Sequence, residues 1–114
     1  MPAGYSDQYI EQGTSFTTQL TLDDSYGAPF NLNGFTVKSQ AKTSYYSSNA
    51  VLTFVASVFD ANNGVIQLSA DSANTSALPP GKLVYDVIIK DNSSNNITRV
   101  LEGQIFVSPA VTSM

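Results

Sequence analysis

The chain has 114 residues, 42% hydrophobic and 12% charged, with nine acidic against five basic side chains and a formal net charge of −4. That length suits one domain able to bury a core without metals or disulfides, and its charged fraction is half the usual ~25%. Because Cys and His are both absent, there is no disulfide framework, no thiol nucleophile, no imidazole base and no ordinary zinc, copper or haem site.

In chain order, the first twelve residues are polar, carry Asp7 and Glu11, and lack the basic and apolar regions of a leader peptide. A short strand is expected around Tyr9 and Ile10. The segment is also read as an arm (about 1–8) that adds a strand to a neighbouring subunit, with Tyr9-Ile10 as first strand of its own domain the alternative. Strict alternation begins at Phe16, with Thr18, Leu20 and Leu22 facing a core and Thr17, Gln19 and Thr21 facing water. An acidic turn ending in Gly27 follows, read as a hairpin whose glycine takes positive φ. The next strand points Phe35, Val37, Ser39 and Ala41 one way and Thr36, Lys38, Gln40 and Lys42 the other. Residues 43–50, rich in Ser and Tyr, read as a connection from one sheet to the other.

Residues 51–59 are apolar on both faces, as in a central strand covered on two sides, and are too short to span a bilayer. A turn at 60–64 leads to a short strand at 65–69. Asp71 caps a single helical turn over about 72–77, which Leu78-Pro79-Pro80-Gly81 ends. The strand at 82–90 places Leu83, Tyr85, Val87 and Ile89 on one face. A polar hairpin at 91–96 precedes the last strand, 97–107, in which Gly103 marks a bulge or a close backbone approach. The expected core contains Leu20, Phe35, Val37, Phe54, Val87 and Ile89. Six good strands and a seventh short one, with turns every 8 to 20 residues, predict an all-β, immunoglobulin-like antiparallel sandwich. It forms one domain over 1–114, with a short tail from about 108.

Chemistry is sparse. No D-x-D-x-D-G loop gathers the oxygens that calcium needs, so Asp23, Asp24, Asp60 and Asp91 read as turn formers bonding their own backbone. Glu11 and Glu102 are the only glutamates, with no cleft between them for acid–base work on a glycoside. There is no G-x-S-x-G elbow and no Gly-rich phosphate loop. The sequence therefore assigns no catalytic residue, no metal and no cofactor. The five basic residues are scattered along the chain, which argues against nucleic acid. The expectation is a soluble protein with no membrane partner. Six tyrosines are the open feature: Tyr26 at a turn tip and Tyr45-Tyr46 in a connection suit a contact surface for a protein or for sugar rings. Tyr5, Tyr9 and Ile10 join them as contact residues of the N-terminal segment.

The ordered landmarks Tyr9-Ile10-Glu11-Gln12-Gly13, Asp24-x-x-Gly27-x-Pro29-x-x-Leu32-x-Gly34-x-Thr36, Leu78-Pro79-Pro80-Gly81 and Leu101-Glu102-Gly103 resemble those of small tailed-phage virion structural proteins, cyanophage types included. They are also similar to the N-terminal β-sandwich domain of phage baseplate upper proteins. The likeness runs from about Tyr9 to Val107, and the middle element is its most specific part. The resemblance implies a non-enzymatic subunit on the exterior of a phage particle, a capsid decoration or a tail or baseplate component. Its partners would be other virion proteins or copies of itself. An immunoglobulin-like module that binds host-surface carbohydrate is the alternative.

Overall fold

The computed structural model describes residues 4–23, 27–47 and 49–112. Among the described residues alternation becomes nine strands: β1 (Gly4–Tyr5), β2 (Gln8–Glu11), β3 (Phe16–Thr21), β4 (Phe35–Lys42), β5 (Leu52–Thr53), β6 (Val55–Asp60), β7 (Val65–Ala70), β8 (Gly81–Asp91) and β9 (Ile97–Ser108). One helical turn, α1 (Ser72–Ser76), sits between β7 and β8. The Asp71 side chain caps it, accepting from the Asn74 backbone N–H at 2.8 Å. Among the described residues no helix is long and apolar enough to cross a membrane.

The strands form two sheets. The larger runs β1-β9-β8-β4-β5, with β2 also pairing β9, and the smaller runs β3-β7-β6. Written as an immunoglobulin fold, β3, β7 and β6 are strands B, E and D, while β4, β8 and β9 are C, F and G. The protein is an all-β, immunoglobulin-like sandwich. Its core lies between the sheets, where Val37, Ala41, Ile66, Leu68, Leu83, Val87, Ile89 and Ile105 are buried. Phe54 sits at its centre, its ring 5.8 Å from Phe16 and 6.4 Å from Tyr85. Of the expected core residues, Val37, Phe54, Val87 and Ile89 are buried, while Leu20 and Phe35 are half-buried and pack against the rim. The extra residue on β9 opposite Val87–Ile88 is a bulge, so Val100 and Leu101 both turn inward despite being adjacent.

Three expectations need correction. Residues 51–59 are not one central strand. The chain changes sheets at Phe54, leaving β5 and β6 as edges of different sheets. It follows that 43–50 closes a hairpin within the large sheet, since β4 and β5 pair antiparallel, and the crossing comes afterwards. The acidic turn does take Gly27 at φ +80° and closes a local antiparallel hairpin, in which Asp23 bridges Pro29 and the Phe30 N–H donates to the Leu22 carbonyl at 2.9 Å, before the chain crosses to β4 in the other sheet.

The N-terminal segment, finally, is not an outstretched arm from Gly4 onward; residues 1–3 of the expected arm lie outside the described residues. β1 and β2 run parallel to β9 of their own domain, Tyr9 opposite Phe106 and Ile10 opposite Val107. At the other end the Ala110 N–H donates to the Gln12 side chain at 3.1 Å, and Gln12 donates to the Leu78 carbonyl at 2.8 Å.

Candidate interaction surface

Strand alternation decides where each contact residue points. Ile10 is 1% exposed and belongs to the core. It leaves the contact set because the parallel register with β9 turns Gln8 and Ile10 inward and Tyr9 and Glu11 outward. Tyr9 is 73% exposed yet stacks on Phe106, with centroids 5.4 Å apart and planes 22° apart. Tyr5 shares that outer face opposite Glu102. Its hydrogen bond to Asp7 is the chief cause of a phenol pKa above the usual value. Tyr45 and Tyr46 are both exposed in the β4–β5 loop. Tyr26 lies outside the described residues.

Tyr45 forms one wall of a shallow hollow of about 240 Å³ on the outer face of the large sheet, with Gln40, Lys42, Val84, Asp86 and Arg99. Arg99 lies 3.3 Å from Asp86 and 3.3 Å from Glu102, both pairs open to solvent. Such pairs fix geometry more than they stabilise, at about 1 kcal/mol or less. A second concavity of about 520 Å³ opens where the sheets part, between β4 and β6, lined by Val37, Ser39, Phe54, Val55 and Ile88 among others. Among the described residues no three acidic side chains converge as metal ligands would.

Charge is segregated between the two faces, and sequence reading missed this. All five basic residues stand on the large sheet: Lys38 and Lys42 on β4, Lys82 and Lys90 on β8, and Arg99 on β9. They are scattered in sequence but share one sheet. Lys38 and Lys42 share the phase of Gln40, and Lys82 and Lys90 that of Asp86, so pairing β4 with β8 puts them on one outer face, Lys38 opposite Ile88, Lys42 opposite Val84 and Lys90 opposite Thr36. Asp86, Glu102 and Glu11 stand on the same face, which is therefore charged with both signs. The outer face of the small sheet carries no Lys, Arg or Glu, and its one acid is Asp60 at the end of β6. That face shows Thr17, Gln19, Thr21, Gln67 and Ser69, with two large apolar side chains, Val55 at 69% exposure and Phe59 at 58%.

No protein-family profile matches the chain, and no curated protein matches it. Among solved structures, the Lin-41 filamin domain superposes with a TM-score of 0.48 at 14% identity, over 89% of this chain and 83% of that one.

Proposed function

We propose that this chain is a non-enzymatic structural subunit of a tailed-phage particle, a capsid decoration or a tail or baseplate component acting through protein–protein contacts. The observation that carries the reading is the charge segregation. Interface cores are depleted in charged residues, and the small sheet offers such a face with Val55 and Phe59 standing out from it. The charged outer face of the large sheet then points to solvent and keeps the particle surface hydrated. Gly27 and Gly34, both with positive φ, and the buried Leu32 give the phage-like middle element a role, because they fold the crossover between sheets. Val55→Asp combined with Phe59→Asp, both at exposed positions, tests the reading: the folded variant should fail to join particles, and normal incorporation would refute it.

A second reading, a carbohydrate-binding module, is favoured by one feature, the hollow beside Tyr45. It joins an aromatic face with the amide of Gln40 and the charges of Asp86 and Arg99. Saturable binding on a glycan array, abolished by Tyr45→Ala, would support it over the structural role.

A further inference from the structure

We propose that two copies of this chain pair antiparallel through the free edge of β6, joining their small sheets into one continuous six-stranded sheet. This deepens the structural-subunit reading by naming a partner, and it rests on the chain acting through protein contacts. Among the described residues β6 has one hydrogen-bonded neighbour, β7, so its other edge offers backbone donors and acceptors to an added strand. Proteins usually blunt such edges with charge or brevity. The edges of the large sheet follow that rule: β9 is covered by β1 and β2, β5 has only two residues, and the part of β4 that β5 leaves open carries Lys38. β6 has six residues and no charge before Asp60, and β3 at the other edge of the same sheet is as long and uncharged, but only β6 adds exposed large apolar side chains, Val55 and Phe59.

The register follows from the side chains. Directly opposite residues in an antiparallel pair point to the same face, so a two-fold axis must pass through one residue of β6. Centred on Ser57, it sets Val55 of each copy against Phe59 of the other, covering both exposed apolar side chains twice over. Centred on Ala56 or Val58, it sets Ser57 against Val55 or Phe59 and leaves one apolar side chain of each copy unmatched. Phe59 is the extra residue of a bulge between Val58 and Asp60, so it closes the paired segment. In the Ser57 register the two Asp60 carboxylates sit six residues apart at opposite ends, about 20 Å. That is well beyond the screening length of ~8 Å, so two chains of net charge −4 meet without local repulsion.

The absence of Cys from the native chain makes the test clean. Ser57→Cys should form an interchain disulfide under mild oxidation, because the two side chains meet at the axis. Gln19→Cys, on the outer face of β3 at the opposite edge of the same sheet, should not. Sedimentation should show a dimer, and Val55→Asp with Phe59→Asp should weaken it at least tenfold (about 1.4 kcal/mol) with the circular dichroism spectrum unchanged. A chain that stays monomeric, or that cross-links equally through Gln19→Cys, overturns the pairing. Failure of the two readings is distinguishable. A monomer found in particles removes the self-pairing and keeps the subunit role, and a dimer absent from particles does the reverse.

Discussion

The hydroxyl of Tyr85 donates to the backbone carbonyl of Ser6, which lies 79 residues earlier in the chain. That carbonyl also occupies the space a side chain at position 103 would need, since a Cβ on Gly103 would stand 2.1 Å from it. Tyr85 on β8 and Gly103 on β9 face each other in register. Together they form the socket that holds the link between β1 and β2 on the sandwich, which is why the N-terminal segment belongs to its own domain.

Tyr85→Phe removes this bond and should cost about 0.5–1.5 kcal/mol. Gly103→Ala should cost more, about 1–3 kcal/mol, because backbone rather than a flexible side chain must move. In both variants hydrogen exchange should quicken first at residues 4–11 while the β8–β4 amides stay protected. Unchanged exchange at 4–11 would show that the socket does not hold the segment.

Phe54→Ala should lose about 3–5 kcal/mol, since the ring is buried against Phe16 and Tyr85 exactly where the chain changes sheets. Phe35→Ala should lose less, because that ring is half-buried on the rim beside Phe30, with centroids 5.6 Å apart. Urea denaturation ranks the two, and an equal loss would contradict the burial difference.

The strands were legible because their apolar positions alternate, and the helical turn because Asp71 precedes a short run that two prolines end. Sheet membership was not. A run such as 51–59, apolar on both sides, reads as a central strand, but it is equally what a chain shows when it packs first one sheet and then the other against the core. Parallel pairing of β2 with β9 leaves no local signal, since the residues are almost a hundred positions apart. For the surface, exposed tyrosines were visible in the sequence. The uncharged face was hidden, because its neutrality emerges only when β3, β6 and β7 are set side by side.

Stability should be flat from about pH 5.5 to 8, as no histidine is present to titrate there. Burial pushes the Tyr85 phenol above its ordinary 10.0, against the opposing hydrogen bonds from the side chains of Gln8 and Ser6. A raised folded pKa favours the protonated form, so this stability is present below the unfolded pKa and is lost as pH rises through the folded one. At the acid end, the hydrogen bonds of Ser93 hold the Asp91 carboxyl below its ordinary 3.8. Its contribution is present above that value and fades as pH falls through the lowered one. Chemical denaturation across pH should give this plateau with an alkaline fall that Tyr85→Phe reduces. A midpoint near pH 6.5, the ordinary histidine value, would contradict it.

The central claim is that the chain is a particle subunit seated through the nearly uncharged face of its small sheet, with the charged face of the large sheet outward. Lysine-reactive footprinting with quantitative mass spectrometry, on purified phage particles and on the free chain, tests it most directly. The account predicts a stoichiometric subunit in which Lys38, Lys42, Lys82 and Lys90 react as fast in the particle as in solution. Absence of the chain from particles, or protection of those four lysines on assembly, would contradict it.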